Sequence, residues 1–220
     1  RSELSPRETQ QALFAGKRFI EDGLNEALNL ISVEVPLIVD VKSGVNDYLD
    51  RDGSRTPVEF HIKNDGLHTI DAQVVQAATK WKRVALKQYE CEVGQGVNTD
   101  MKAVRKDYFL DHDHSAYVDQ WDWERVMTAE ERNLDYLKVT VRKIWDVLKG
   151  AEQYLWKKFP ALALTGQPPL PDELHFIHAE EILDMFPDLP RKQRETELLQ
   201  KYPAVFIIGI GDTLEDGYPH

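Results

Sequence analysis

The run Tyr-Val-Asp-Gln-Trp-Asp-Trp at 117–123 leaves little freedom in how the chain around it folds. Successive side chains of a strand point to opposite faces. An extended backbone therefore sends Tyr117, Asp119, Trp121 and Trp123 one way and Val118, Gln120 and Asp122 the other. Two indoles and a phenol on one side call for a core. On the other side an amide and a carboxylate stand ~7 Å apart, with no apolar ladder of their own. Residues 97–105 alternate in the same way, and the polar loop "KDYFLDHDH" lies between the two stretches. The pattern predicts two long strands, 97–105 and 115–123, paired as a hairpin.

Helices and further strands fall into place around that hairpin. "SPRE", Ser5 to Glu8, carries a capping box with proline in the first turn. Leu13, Ile20, Leu24, Ala27, Leu28 and Ile31 then recur at helical spacing. "LISVEVPLIV" changes to period two, with Ile31, Val33 and Val35 on one face, and Pro36 marks a strand end or an exposed edge. Strands are predicted at 57–63 and 69–75 around the turn signal "NDG", and a short helix through "ATKWKRVALKQY". Thr128 and Glu131 form a second capping box ahead of a long helix that runs to Pro160, with a stripe of Leu134, Leu137, Val141, Ile144, Leu148, Ala151 and Leu155. A strand at 174–178, a helix pair over 179–202 broken by "PDLP", and the most apolar strand, "AVFIIGIG", follow. Hairpin-like turns dominate, so the expected class is α+β: a mainly antiparallel sheet flanked by helices, with residues 1–220 long enough for one substantial core.

Bulk properties remove several functions. Net charge is −11, which argues against nucleic acid as a partner, because backbone affinity comes from lysine and arginine meeting phosphate. "AVFIIGIG" falls far short of the ~20 residues that span a bilayer, so no membrane association is expected. No basic segment followed by an apolar one opens residues 1–220, and with Cys91 as the single cysteine the expected compartment is the cytoplasm. No Gly-rich phosphate loop, G-x-S-x-G, HExxH or CxxC pattern occurs.

What remains is a set of polar residues with recognisable chemistry. Gln120 and Asp122 suit a zwitterion, Asp122 accepting from its ammonium group; a solvated strand face is the plainer alternative. Arg105, at the end of the partner strand, can approach that same face, and a guanidinium grips carboxylate or phosphate bidentately. "TKWKR" sets Lys80, Lys82 and Arg83 around Trp81, either as a basic cluster for an anion or as a helix with Trp81 packed inward and the cations solvated. "SGVNDYL" presents Asn46 and Asp47 on a polar turn, where turn chemistry alone would also put them. "DHDHS" is weak as a metal motif, because its i, i+2 spacing has no separate third cluster; no metal ligand is assigned. His175 and His178 read as structural.

Seven segments together, "VEVPLIV", "SGVNDYL", "VVQAATKWKR", "GQGVNTDMKAVR", "HSAYVDQWDWERV", "LHFIHAEEIL" and "AVFIIGIG", resemble the aspartate–ammonia ligases, the ammonia-dependent asparagine synthetases. These share the catalytic fold of class II aminoacyl-tRNA synthetases. "TKWKR" and "YVDQWDWERV" are the most specific of the seven.

The resemblance implies a reaction and a set of roles. L-aspartate and ATP give β-aspartyl-AMP and pyrophosphate, and ammonia then displaces AMP to give L-asparagine. Arg105 would hold the α-phosphate and the activated carboxyl group, with Asp107 following it as the acidic residue of the same motif. Gln120 and Asp122 would recognise the amino acid, Lys82 its carboxylate, and Asp47 would orient or deprotonate ammonium. Pro36 would lie at a homodimer interface. By the same resemblance Ala77 stands where a serine is expected. The family's length beyond "GIGD" would supply the Mg²⁺ ligands and a Gly-rich, arginine-bearing nucleotide wall. The expectation is therefore a chain covering the front two-thirds of the family and inactive by itself; the alternative is a naturally short, inactive homologue that dimerises or binds an amino acid. A fragment of an aspartyl- or asparaginyl-tRNA synthetase is disfavoured, since no basic patch for tRNA accompanies these motifs.

Overall fold

A computed structural model describes residues 3–50, 53–64, 66, 68–111 and 114–218. The chain divides into two compact units, Lys17–Val147 and a second made of Arg1–Gly16 with Leu148–His220. Two long helices, α1 (Pro6–Leu28) and α3 (Leu134–Lys158), have residues in both.

In the larger unit β1 (Leu30–Ser32), β5 (Gly96–Val104) and β6 (Tyr117–Arg125) form one sheet, parallel between β1 and β5 and antiparallel between β5 and β6. A second sheet is antiparallel throughout, ordered β2 (Ile38–Asp40), β4 (His68–Val74), β3 (Glu59–Asn64). The helix α2 (Thr79–Gln88) follows β4. The predicted hairpin is present as β5 and β6, with Thr99 opposite Asp122, Met101 opposite Gln120 and Ala103 opposite Val118.

Both faces of this hairpin are covered, each for a reason visible in its residues. Trp121 and Trp123 pack on Leu24, Leu28 and Leu30, together with Ile144 and Val147. Each of the three buried leucines contributes roughly 1.5–3 kcal/mol in burial. Tyr117 does not join them, being 55% exposed. On the other face Met101 and Ala103 pack with Val39, Val75 and Ala78, and Val118 lies against this cluster. The sequence pattern left that face bare; in the structure its Val118 end is apolar and its Asp122 end is reached from α2.

Several local details depart from the sequence reading. Asn29 takes a left-handed φ of 57° as α1 ends, so the chain enters β1 with Leu30 buried and Ile31 51% exposed. Leu13 and Leu134, at the ends of their stripes, are also exposed. Thr128 and Glu131 do exchange both capping-box hydrogen bonds, at 2.9 and 3.3 Å, but they close a turn. The cap of α3 is Asn133, whose side-chain oxygen accepts from the Tyr136 N–H at 2.9 Å while its amide donates to the Glu130 carbonyl. Asparagine is among the strongest N-caps, and here it outcompetes the upstream pair. Ser5 and Glu8 cap α1 as the sequence indicates. Asp65 of the "NDG" turn lies outside the described residues.

In the smaller unit β7 (His175–His178) and β8 (Val205–Ile208) pair in parallel, with α4 (Ala179–Met185) and α5 (Arg191–Lys201). Ile177, Ile182 and Leu198 make its core with Val205 and Ile207. His175 stacks on Tyr202 at 3.7 Å, and His178 caps α4, accepting from the Glu180 N–H. Both histidines have structural roles, as read.

Gly96 is where the β5–β6 pairing begins at its closest. A Cβ there would overlap the Glu124 carbonyl oxygen and sit 2.7 Å from a Leu30 methyl and 2.8 Å from the Arg125 Cα. The β6 backbone cannot yield as a side chain would. Gly96→Ala is expected to cost about 3 kcal/mol, read as a lowered urea midpoint at unchanged slope.

Candidate functional site

The polar face of the hairpin acquires its partners from α2. Ala78, Lys82 and Ala85 follow one another at spacings of four and three, so they share a helix face. All three are buried, Lys82 to 2% exposure. The two alanines let the helix lie close, and Lys82 is thereby driven into the hairpin. Its Nζ donates to the Asp122 carboxylate and, at 3.0 Å, to the Trp123 carbonyl, with Glu124 at 3.7 Å. Lys80 and Arg83 stay exposed. The reading of "TKWKR" as a solvated basic face thus holds for two of its cations and fails for Lys82.

Arg105 sits one residue past β5, its N–H bonded to the Ala116 carbonyl across the hairpin end. The guanidinium is shared. Nε donates to the Gln76 carbonyl at 3.3 Å, and Nη2 donates to Gln120 Oε1 at 3.3 Å. Gln120 and Asp122 project from the same face of β6, so four predicted residues converge: Arg105, Gln120, Asp122 and Lys82. Guanidinium, amide, carboxylate and ammonium together present donors and acceptors for an α-amino acid and for an anionic group beside it.

Asp47 takes a neighbouring position with a local task. Its carboxylate accepts from the backbone N–H of Thr79 at 2.6 Å and of Lys80 at 3.4 Å. Ala78 offers α2 no capping side chain, and Asp47 supplies the cap from a distant loop. That loop is held by Asn46, which is buried. Its amide donates to Gln73 Oε1 and the Val74 carbonyl, and its Oδ1 accepts from the Gln76 N–H at 2.9 Å. Asn46 and Gln76 thus tie the Asp47 loop to Arg105. The sequence reading named Asn46 only as a turn residue and passed over Gln76; no local pattern marks either as a connector.

Asp107 stands apart. It accepts from the Thr56 N–H at 2.8 Å and hydroxyl at 3.0 Å, and from Lys106. Lys106 and then the Thr56 N–H hold its carboxyl down to about 2. On the opposite face of the hairpin, Lys17, Asp100, Lys102 and Asp119 form an ion-pair network. Burial pushes the Asp119 carboxyl up, but the hydrogen bonds from Lys17 and Lys102 outweigh it and bring the group to about 2. Burial works against Lys102 as a cation, yet the hydrogen bonds it makes, that to Asp100 foremost, raise it above its ordinary value.

Among the described residues no group of three or more His, Cys, Asp or Glu could hold a metal ion. Within "DHDHS", Asp111 and His114 bond to each other at 2.7 Å, while His112 and Asp113 lie outside the described residues. A hollow of about 600 Å³ past the end of β6 is lined by Trp123, Arg125, Met127, Leu134 and Tyr136, among others. It is mostly apolar and includes none of the four converging residues.

Solved structures carry the same arrangement of elements. Asparaginyl-tRNA synthetase from Pyrococcus horikoshii, complexed with asparaginyl-adenylate, matches with a TM-score of 0.62 over 90% of this chain and 44% of its own, at 13% identity. Asparaginyl-tRNA synthetase from Entamoeba histolytica matches with a TM-score of 0.55 over 92% and 43%, at 12% identity. The fold is that of the class II aminoacyl-tRNA synthetase catalytic core, mixed α and β with helices flanking the sheets.

Closer relationships narrow this further. The family model described as aspartate-ammonia ligase matches residues 7–220. An aspartate–ammonia ligase from Clostridium perfringens is 45% identical over 217 residues, 99% of this chain and 62% of the relative; one from Bacillus cytotoxicus is 43% identical, over 99% and 64%. The chain belongs to the aspartate–ammonia ligase family. It spans a little under two-thirds of the length of these relatives.

Proposed function

We propose that the protein acts in the ATP-dependent ligation of ammonia to the side-chain carboxylate of L-aspartate, residues 1–220 forming the front part of one synthetase-like catalytic domain. The observation that carries this reading is the convergence of Arg105, Gln120, Asp122 and Lys82 on one face of the β5–β6 hairpin, in a chain of this family. Asp122 accepts the α-ammonium of aspartate, Lys82 turns to its α-carboxylate, and Gln120 fixes the orientation between them. Arg105 neutralises the side-chain carboxylate and the α-phosphate of ATP as a carboxylate oxygen attacks phosphorus and pyrophosphate departs. In the second step ammonia nitrogen bonds to the acyl carbon, the C–O bond to AMP breaks, and Asp47 orients the incoming nitrogen. These residues supply position and charge, not a covalent intermediate.

Asp107, bound to Lys106 and Thr56, is placed as a support for the loop after Arg105 and only indirectly for the nucleotide. Mg²⁺ does not fit the described residues: no carboxylate cluster is present, and the Asp122 and Asp107 carboxylates are both engaged with lysine. No step is drawn through the metal. Homodimerisation through the segment around Pro36 and a cytoplasmic location belong to the same reading; no helix among the described residues is long and apolar enough to cross a membrane.

The test is aspartate-dependent exchange of labelled pyrophosphate into ATP, followed by ammonium-dependent release of AMP and asparagine. Exchange without ammonium, and asparagine only with it, is the expected result. Aspartate binding with neither activity, in protein of the relatives' full length, would make the molecule an amino-acid binder and end the ligase reading.

A further inference from the structure

Gln76 is buried to 1% exposure, at the junction between β4 and α2. Its main chain is fully used: the N–H donates to Asn46 Oδ1, and the carbonyl accepts from Arg105 Nε. Its side-chain Oε1 is buried and meets no donor among the described residues. An orphaned buried acceptor costs more than a hydrogen bond gains, so a protein keeps one where some donor arrives. The nearby side-chain donors make their hydrogen bonds to other atoms. Arg105 is divided between Gln76 and Gln120, Lys82 between Asp122 and the Trp123 carbonyl, and the Lys80 ammonium bonds the Asn46 carbonyl at 3.1 Å. The missing donor comes from outside the described residues.

Thr99 Oγ1, Asn98 Oδ1 and Trp121 Nε1 are also buried without partners. Asn98 and Trp121 lie on the far face of the hairpin, and Thr99, opposite Asp122, carries a hydroxyl, which can either donate or accept. A carboxamide oxygen has no such freedom. It can only accept.

We infer that Gln76 is a specificity-determining residue for the nitrogen donor, its Oε1 accepting a hydrogen bond from ammonium or ammonia. This rests on the ligase reading above. Ammonium is made of donors alone, so its pocket must be built from acceptors. Gln76 stands three residues before Thr79, whose N–H is held by Asp47, and is joined to the same loop through Asn46. Through its carbonyl it also touches the arginine assigned to the acyl group. Gln76 therefore stands between the residue that orients the nitrogen and the residue that holds the carbon it attacks.

Two variants test this in protein that performs the reaction. Gln76→Leu keeps the bulk and removes the acceptor. The KM for ammonium should rise by on the order of tenfold or more, while aspartate-dependent pyrophosphate exchange, which needs no nitrogen donor, stays within about twofold. Gln76→Glu strengthens the acceptor with charge and should lower the ammonium KM, which keeps the inference open to refutation if the leucine variant fails to fold. An unchanged ammonium KM in either folded variant overturns it, as for a site filled by water. So does a parallel loss of exchange and ligation, which would place the oxygen on aspartate instead. Absence of exchange in the unsubstituted protein removes the ligase reading itself, and this assignment with it.

Discussion

Replacing Asp122 with alanine is expected to abolish aspartate binding and also to lower the unfolding free energy by about 3 kcal/mol. Sequence reasoning alone would have the substitution remove binding and leave the chain otherwise undisturbed. The structure changes that expectation, because Asp122 is the counter-charge of a lysine with 2% exposure. Without it the Lys82 ammonium retains the Trp123 carbonyl at 3.0 Å and Glu124 at 3.7 Å, too little for a buried cation. Asp122→Ala combined with Lys82→Met should recover much of the lost stability, since the uncompensated charge is gone, yet should not recover binding. Denaturant titration and calorimetry with L-aspartate separate the two effects. A single variant as stable as the parent would show that Lys82 does not depend on Asp122; unchanged affinity would remove Asp122 from the amino-acid site.

Arg105→Lys is expected to reduce pyrophosphate exchange by a factor of about 10² or more with little change in stability. The guanidinium spans two acceptors on different elements, the Gln76 carbonyl and Gln120 Oε1. A lysine ammonium is a point charge on a flexible stem and cannot hold both while meeting carboxylate and phosphate oxygens. Because Arg105 lies at a strand end and is only part-buried, its loss leaves no buried charge behind. The loss should appear mainly in kcat, with the KM for aspartate less affected, since Asp122 and Lys82 remain. Full activity in the lysine variant would show that charge alone suffices and that the bidentate geometry is idle.

Much of this is legible in the amino-acid order alone. Period-two alternation identified the hairpin because strand side chains alternate whatever surrounds them, and Trp121 and Trp123 named the core face by their size. The cap at Ser5 and Glu8 is local chemistry and was read correctly. The pair at Thr128 and Glu131 forms but does not start α3, since Asn133 offers a competing cap five residues on. Choosing between two good caps depends on where the helix must dock, which local signals do not contain. Leu30 rather than Ile31 became the buried residue for a similar reason: the left-handed turn at Asn29 sets how the chain leaves α1, and the predicted face returns only further on, where Val35 packs against the Val39 cluster.

The candidate site divides along the same line. From the amino-acid order alone came the residue types, their alternation on β6, and the resemblance that attached roles to Asp47, Lys82, Arg105, Gln120 and Asp122. Tertiary structure decided that Lys82 is buried against Asp122, that Asp47 caps α2 from a loop more than thirty residues upstream, that Asp107 is drawn off to Thr56, and that Gln76 carries an unanswered oxygen. The reason is physical: alternation and capping are properties of neighbours along the backbone, whereas burial of a charge or the orphaning of an acceptor depends on which distant segment fills the space around it.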